Sequence, residues 1–164
     1  KFFGGTLDDI SLVTQSIKLP ILRKDFIIDP YQVLESKFFK ADAILLIMSI
    51  LSFEQANEIL DAANKYKIDC LVEIHNIYEI ESALRLNNFL IGINNRNLDT
   101  LNVDLENVKK LYKEIPDEYT IVAESGIKTK KDIEFYNDIG IYNFLIGESL
   151  LKSKNIRKKI SELL

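Results

Sequence analysis

Short apolar segments of strand type alternate with amphipathic helical patterns along the chain, and this alternation limits the fold more than any other feature. The strand segments are rich in Ile, Leu and Val, which is typical of strands buried on both faces. One strand and one helix recur roughly every 20 to 30 residues, which predicts a parallel sheet with right-handed crossovers. The predicted strands are Pro20–Lys24, Ala43–Ile47, Cys70–Ile74, Leu90–Asn94, Thr120–Glu124 and Asn143–Ile146.

Helical patterns fill the intervals between these strands, and several carry boundary signals of their own. The predicted helices are Leu7–Ile17, Pro30–Phe39, Phe53–Tyr66, Ile77–Leu86, Leu105–Ile115, Lys130–Ile139 and Ser149–Leu163. The signals are Asp29-Pro30, Ser52-Phe53-Glu54-Gln55, Asp104 and Thr129 at helix starts, and Gly140 at a helix end.

The composition is that of an ordinary globular protein, and no linker divides the 164 residues. We therefore predict a single domain over residues 1–164. The net charge of −4 and the lack of a dense Lys/Arg block argue against a nucleic-acid partner. No apolar run approaches the ~20 residues of a membrane span. The single cysteine, Cys70, is predicted to be a core residue and fits a cytoplasmic protein; with only one histidine, the chain offers no metal-ligand spacing.

Polar side chains end many different predicted strands, which favours a (β/α)8 barrel over an open doubly wound sheet. The dinucleotide fingerprint G-x-G-x-x-G, typical of doubly wound folds, is absent from the sequence. A complete barrel usually needs about 250 residues, and only six strands are readable here. The predicted fold class is α/β, in the (β/α)8 TIM-barrel family, with six parallel strands and an incomplete barrel.

Two late strands stop abruptly at glycine and small polar residues. Ser125-Gly126 ends the fifth strand, and Gly147-Glu148 ends the sixth. Neighbouring strand ends of this kind direct backbone N–H groups and a helix N-terminus at one place, where a phosphate dianion binds well. In (β/α)8 barrels this site commonly follows the last two strands. We therefore predict a phosphorylated small-molecule substrate, with Glu148 contributing its backbone N–H and not its side chain.

Three ionisable side chains lie where strands end. Glu73 stands in the apolar run Leu71-Val72-Glu73-Ile74, and a carboxylate buried there is either paired with a cation or used in proton transfer. Glu124 repeats this pattern, and Lys24 closes the first strand, where a solvent-facing strand end is the alternative interpretation. We expect the three side chains to converge in a proton-transfer site. The only histidine, His75, is interpreted as a surface or capping residue.

The fourth strand ends in a run of amides around one arginine, Asn94-Asn95-Arg96-Asn97. Asn94 lies where the strand emerges, so its amide is a candidate hydrogen-bond donor to a substrate. Asn95 to Asn97 read as a turn, since Asn tolerates left-handed backbone. Arg96 is expected to brace the neighbouring loops.

Taken in order, these segments resemble indole-3-glycerol-phosphate synthase, a family of tryptophan biosynthesis, over essentially the whole chain. The joint occurrence of the first, fourth and fifth blocks is the specific part of the resemblance. The blocks are Pro20-Ile21-Leu22-Arg23-Lys24-Asp25-Phe26-Ile27, Ala41-Asp42-Ala43-Ile44-Leu45-Leu46-Ile47, Leu71-Val72-Glu73-Ile74-His75, Ile91-Gly92-Ile93-Asn94-Asn95-Arg96-Asn97-Leu98, Val122-Ala123-Glu124-Ser125-Gly126-Ile127 and Ile146-Gly147-Glu148-Ser149-Leu150.

The resemblance implies a decarboxylating ring closure of 1-(2-carboxyphenylamino)-1-deoxyribulose 5-phosphate that needs no cofactor. It gives Lys24 the role of general acid at the substrate carbonyl and Glu73 that of proton-transferring glutamate. Asn94 and Glu124 complete the implied catalytic set. The implied substrate-binding residues are Phe26, Leu46, Arg96 and Ser125, and the implied phosphate-binding residues are Gly126, Gly147 and Glu148.

The sequence departs from the family at its start, where Phe2-Phe3-Gly4-Gly5-Thr6 resembles the loop after the family's second strand. We therefore expect the first two strands, with a family glutamate and lysine, to be missing from this chain. It is then a portion of a full-length enzyme, a fragment completed by a partner chain, by self-association or by an N-terminal segment, or an inactive remnant. Unpaired sheet edges at Pro20–Lys24 and Asn143–Ile146 would favour association.

Other functions also remain open from the sequence. Sister phosphate-binding barrels, such as phosphoribosylanthranilate isomerase or the tryptophan synthase α chain, lack the joint lysine, glutamate and Asn-Asn-Arg-Asn pattern. A barrel that binds phosphate without turnover is the alternative from a different class.

Overall fold

The computed structural model describes residues 4–97 and 101–164, and strands alternate with helices in these ranges as far as β6 and the helix that follows it. The strands are β1 (Leu22–Arg23), β2 (Ala43–Ile47), β3 (Asp69–Ile74), β4 (Leu90–Asn94), β5 (Thr120–Glu124) and β6 (Asn143–Leu145). The helices are α1 (Leu7–Ser16), α2 (Pro30–Phe38), α3 (Phe53–Tyr66), α4 (Ile77–Arg85), α5 (Glu106–Tyr112), α6 (Lys130–Asn137), α7 (Glu148–Leu151) and α8 (Ile156–Leu163). Phe2 and Phe3, predicted to lie in a loop, fall outside the described residues.

The chain divides into two compact units, whose described residues are 4–73 with 82–88, and 74–81 with 89–97 and 101–164. In the first unit β1 pairs with β2 and β2 with β3, always in parallel. In the second unit β4 pairs with β5 and β5 with β6, again in parallel. Within each unit the order of the strands in space is their order in sequence. The single domain over residues 1–164 stays a prediction.

All six predicted strands form, and β2, β4 and β5 have the predicted bounds. The first strand is the main difference, because it was predicted over Pro20–Lys24 and spans only Leu22–Arg23. Ile21 lies outside the regular strand because its N–H donates to a side chain, Asp42 Oδ2, at 2.8 Å. Its carbonyl accepts from the backbone N–H groups of Asp42 and Ala43. Pro20 has no N–H to donate, so the regular ladder begins after it.

Strands β2 and β4 are buried on both faces, as their composition predicted. Residues 44–47 of β2 and 91–94 of β4 are buried without alternation. The sixth strand differs, because Asn143 is exposed and Phe144 and Leu145 are only partly buried. Each fully buried Ile or Leu contributes roughly 1.5–3 kcal/mol, so β2 and β4 contribute more to stability than β6.

Asp29 and Ser52 cap their helices as predicted, whereas Leu105 and not Asp104 is the N-cap of α5. Asp29 accepts a hydrogen bond from the Tyr31 N–H, and Ser52 and Gln55 form the expected capping box before α3. Asp104 stands two residues before α5, where its Oδ1 accepts from the Glu106 N–H at 3.0 Å. Each of these bonds satisfies a backbone group that would otherwise lack a partner in the first helical turn.

The single helix predicted over Ser149–Leu163 is wrong, since the structure has two short helices there, α7 and α8. The break falls at Ser153 and Asn155, whose side chains bond to nearby backbone. Asn155 adopts an extended backbone, and its Oδ1 accepts from the Lys158 N–H at 2.9 Å, so it caps a new helix. Ser and Asn compete in this way with a continuous helical ladder.

Cys70 lies inside β3 with 3% of its surface exposed, which confirms its assignment to the core. Burial, with a smaller contribution from the Asp69 carboxylate, raises the pKa of its thiol to about 12. The helices within 4–97 and 101–164 all lack the combination of length and hydropathy needed to cross a bilayer.

We predict that the Cys70 thiol does not react with a disulfide reagent at about pH 8 while the protein is folded, because only the thiolate attacks. In guanidinium chloride the thiol regains an ordinary pKa and full reactivity is expected. The measurement is thiol titration with and without denaturant. Rapid reaction of the folded protein would contradict the burial of this side chain.

Candidate active site

Lys24 and Glu73 lie together at the carboxyl ends of two strands of the first unit. Lys24 follows β1 directly, Glu73 is in β3, and Lys24 Nζ is 3.9 Å from Glu73 Oε2. The Glu73 side chain is 1% exposed and the lysine side chain 33% exposed. A carboxylate removed from water in this way is stabilised by a nearby cation, so the pairing accounts for an acid in an apolar strand.

The segment that carries Lys24 is held by a cluster of polar side chains on α2. Arg23, on the strand side of Lys24, forms ion pairs with Asp25 at 3.1 Å and Glu35 at 2.8 Å. Its Nη1 also donates to Ser36 Oγ and to the Gln32 carbonyl. The cluster therefore fixes the end of β1 against α2, immediately beside the candidate acid.

Phe26 lies in the same loop, and Gln32 fixes the loop backbone around it. Gln32 Nε2 donates to the Phe26 carbonyl at 3.0 Å, and its Oε1 accepts from the Ile28 N–H at 2.8 Å. Both bonds reach back from the first turn of α2 into the loop after β1. The loop that holds Lys24 and Phe26 is thus anchored to α2 at both of its ends.

Leu46 does not share a face of the sheet with Glu73. Glu73 is in register with Ile47, and Leu46 is in register with Val72. Side chains alternate between faces along a strand, so Leu45 and Ile47 lie on the Glu73 face and Leu46 on the opposite one. Alternation along β2 separates Leu46 from Leu45 and Ile47, but which set lies on the Glu73 face depends on the register between β2 and β3.

In the second unit, Asn94 and Glu124 are direct neighbours in the register of β4 and β5. Both side chains therefore project from the same face, at the carboxyl ends of their strands. Both residues are buried, at 5% and 1% exposure. Asn94 Oδ1 accepts a hydrogen bond from the Arg96 N–H at 2.9 Å. Arg96 pairs with Val103 in an isolated antiparallel bridge, and Asn95 to Asn97 lack the left-handed backbone on which the predicted turn rested.

Arg96 braces loops, as the sequence indicated. Its guanidinium donates to the Leu101 carbonyl and forms an ion pair with Glu148, the first residue of α7. Lys152, one turn further along, donates to the other Glu148 oxygen. The hydrogen bond from Lys152 has the larger effect and that from Arg96 the smaller, and both lower the pKa of the Glu148 carboxyl below its usual 4.5. The Glu148 side chain thereby joins the loops after β4 and β6.

The turn after β5 has an unusual backbone. Ser125 and Gly126 both have positive φ, at 65° and 82°. A Cβ atom on Gly126 would collide with Cγ1 of Val103 and lie 2.8 Å from Cδ2 of Leu105. Glycine is therefore required there by both conformation and space.

The turn after β6 is close to the turn after β5, because the two strands are paired and Ser149 Oγ donates to the Ile127 carbonyl at 2.9 Å. Gly147 has φ −116°. No heavy atom lies within 4 Å of a Cβ built on it. The two glycine corners thus lie on adjacent strands of one unit, one tightly packed and the other open.

The structure thus groups the predicted site residues by unit. Lys24, Phe26 and Glu73 lie at the strand ends of the first. The second unit holds Asn94, Arg96, Glu124, Ser125, Gly126, Gly147 and Glu148. His75, interpreted as a surface or capping residue, has a side chain only 8% exposed, and its N–H donates to Glu79. In the part of the chain that the structure describes, no group of three His, Cys, Asp or Glu residues could hold a metal ion.

Repeated strand–helix units with polar residues at the carboxyl ends of parallel strands define the class. The chain is part of a (β/α) barrel of the TIM type, with six strands among its described residues. Solved structures of this class are similar. The chain matches 3-hexulose-6-phosphate synthase from Salmonella typhimurium with a TM-score of 0.82 at 10% identity, covering 96% of this chain and 77% of that one. It matches KGPDC from Streptococcus mutans with a TM-score of 0.69 at 15% identity, covering 94% and 76%.

Sequence comparison identifies the family within this class. The family model for indole-3-glycerol phosphate synthase matches residues 1–163, and the chain belongs to this family. It is 46% identical to indole-3-glycerol phosphate synthase of Endomicrobium trichonymphae over 99% of this chain and 63% of that protein. It is 45% identical to the enzyme of Acetivibrio thermocellus over 98% of this chain and 62% of that protein. The chain therefore spans somewhat less than two thirds of the length of these relatives.

We predict that Gly126→Ala lowers the free energy of unfolding by about 2–4 kcal/mol, the sum of a left-handed backbone and an overpacked site. The matched control is Gly147→Ala, where φ is −116° and the space is open; a loss below about 1 kcal/mol is expected there. Denaturant unfolding of both variants is the measurement. Equal losses would contradict the close approach of Val103 and Leu105.

We predict that the Glu148 carboxyl titrates below 4.5, because it accepts bonds from Lys152 and Arg96. Since its pKa is lower in the folded state, the ion pairs stabilise the protein above the unfolded pKa and cease to do so as pH falls through the folded value. The stability advantage of the native protein over Glu148→Gln should shrink as pH falls from about 6 to about 3. A constant difference across this range would show that the carboxylate does not form these pairs in solution.

Proposed function

We propose that the protein to which this chain belongs converts 1-(2-carboxyphenylamino)-1-deoxyribulose 5-phosphate into indole-3-glycerol phosphate, CO2 and water. The family membership supports this reaction. The observation that carries it in the structure is the Lys24–Glu73 pair, 3.9 Å apart at the carboxyl ends of β1 and β3. Active sites of TIM barrels lie at this end of the strands.

In the proposed reaction the ring carbon that bears the carboxylate attacks the ketone carbon of the sugar chain. Lys24 donates a proton to the carbonyl oxygen as the carbon–carbon bond forms. Loss of CO2 then restores the aromatic ring. The new hydroxyl leaves as water while a proton is removed from the neighbouring carbon, which forms the indole double bond. General acid and base groups of this kind each contribute about 10²–10⁴-fold to the rate.

Glu73 is the proposed proton carrier in the dehydration. Its position beside Lys24 allows the two groups to act on the same substrate atom in succession, and its burial keeps bulk water from competing for the proton. Asn94 is proposed to donate its amide to the substrate, since its Oδ1 already accepts from the Arg96 N–H. Glu124 is proposed as the second carboxylate, in register with Asn94.

The phosphate ester is assigned to the adjacent turns after β5 and β6, at the backbone of Gly126, Gly147 and Glu148, with Ser125 beside it. Holding the phosphate fixes one end of a flexible chain, and a near-attack geometry can supply ~7–11 kcal/mol of barrier reduction. Arg96 neutralises the Glu148 carboxylate, which would otherwise repel the phosphate.

The aromatic ring is assigned to Phe26 and to the β2 side chains that share the Glu73 face, Leu45 and Ile47, in place of Leu46. The proposed reaction uses no cofactor. We assign the activity to the cytoplasm, since the chain has one cysteine and that cysteine is buried. Self-association, or pairing with a complementing N-terminal segment, stays a prediction.

We predict that Glu73→Gln lowers turnover by about 10²–10⁴-fold while substrate binding changes little, because the amide keeps the shape and loses the transferable proton. Turnover is followed by indole fluorescence, and binding by titration with indole-3-glycerol phosphate. The matched control is Glu58→Gln, an exposed glutamate on α3 of the same unit.

Unchanged turnover in Glu73→Gln would overturn the role of this residue. If the protein binds the phosphorylated ligand but shows no turnover before any substitution, the alternative of a phosphate-binding barrel without activity is favoured.

A further inference from the structure

Asn95 is a buried amide whose interactions converge on the turn after β5. It is 3% exposed and follows Asn94, so the two side chains lie on opposite sides of the chain. Its Nδ2 donates to the carbonyls of Glu124 and Ser125, each at 3.0 Å, and its backbone N–H donates to the Glu124 carbonyl at 2.9 Å. One residue after β4 therefore holds two consecutive peptide groups after β5.

These bonds fix the direction of two N–H groups. In a trans peptide the carbonyl and the following N–H point in opposite directions. Because the carbonyls of Glu124 and Ser125 both point toward Asn95, the N–H groups of Ser125 and Gly126 point away from it. Those are the N–H groups at the turn to which the phosphate ester is assigned above.

Tyr136 supports the Asn95 amide from α6. It is fully buried, and its hydroxyl accepts from Asn95 Nδ2 at 2.8 Å and donates to the Leu105 carbonyl at 3.2 Å. Burial raises the pKa of this phenol to about 12, so the hydroxyl keeps its proton at any working pH. Tyr136 thereby ties Asn95 to Leu105, whose side chain packs over Gly126.

The Asn95 amide is fully used in this arrangement. Its NH2 group has two hydrogens for three acceptors, so one hydrogen is shared between the two carbonyls, and its Oδ1 accepts from the Val108 N–H at 3.4 Å. A carboxylate of the same shape has no donor to offer the carbonyls or the phenol. The position thus requires an amide and not merely a polar residue.

We propose that Asn95 and Tyr136 are positioning residues that orient the Ser125 and Gly126 N–H groups toward the phosphate ester of the substrate. They touch no reacting atom and act through the peptide groups after Glu124. The proposal rests on the function proposed above, because that function places a phosphate at this turn. It assigns the hydrogen-bonded pair a role in binding and not only in stability.

The decisive variant is Tyr136→Phe, which keeps the ring and its contacts with Phe135 and Phe144 and removes only the hydroxyl. The matched control is Tyr119→Phe, next to the opposite end of β5. We expect Tyr136→Phe to raise KM about tenfold and to weaken competitive inhibition by inorganic phosphate by a similar factor, with kcat within about twofold, as expected when ground-state and transition-state binding are lost together. Asn95→Asp should raise both values further.

All variants are assayed well below their unfolding midpoints, so that partial unfolding does not imitate a loss of affinity. The proposal is overturned if KM and phosphate inhibition are unchanged in Tyr136→Phe. It is also overturned if Tyr119→Phe changes them by an equal factor. Neither outcome depends on whether Asn95→Asp folds. If the unsubstituted protein shows no turnover, the proposed function fails, and amide hydrogen exchange at Ser125 and Gly126 decides instead. Faster exchange in Tyr136→Phe than in Tyr119→Phe supports the orienting role, and equal exchange refutes it.

Discussion

A carboxylate buried in an apolar strand must be compensated, and Lys24 lies beside Glu73 as a compensating cation. The lysine Nζ lies 3.9 Å from a glutamate that is 1% exposed. Removing one partner of such a pair leaves a buried charge at a cost of several kcal/mol. Lys24, the residue that follows β1, places its ammonium group beside the Glu73 carboxylate. The ion pairs of Arg23 with Asp25 and with Glu35 of α2 in turn fix the position of the end of β1.

In the second unit the residues that need support are those of the turn after β5, and the difficulty there is backbone conformation instead of buried charge. Ser125 and Gly126 occupy left-handed conformations, and the loop side chains of Val103 and Leu105 close over the glycine. Asn95 donates to the Glu124 and Ser125 carbonyls of this turn, and the Tyr136 hydroxyl accepts from the same amide. A strained turn persists only where its surroundings determine it more than once, and the buried amide and phenol are those surroundings.

The repeating pattern of strands and helices was predictable because it depends on local periodicity. Buried parallel strands read as continuous apolar runs, and β2 and β4 follow that rule from their second residue to their last. Where prediction was wrong, side chains had replaced regular backbone bonding. The Asp42 carboxylate accepts a hydrogen bond from the Ile21 N–H just before β1. Asn155 divides the predicted last helix because its side chain accepts from the Lys158 N–H and caps α8. Such substitutions depend on where a side chain points, which periodicity does not report.

The sequence by itself determined the fold class, the family and the residue types at the strand ends, because strand periodicity and motif order are properties of neighbouring residues. Only the tertiary structure decided which side chains share a face: Ile47, and not Leu46, is in register with Glu73, and Asn94 is in register with Glu124. Register is set by hydrogen bonds between strands far apart in sequence. The same holds for Asn95 and Tyr136, which lie 41 positions apart and meet only because the tertiary fold brings the residue after β4 to α6.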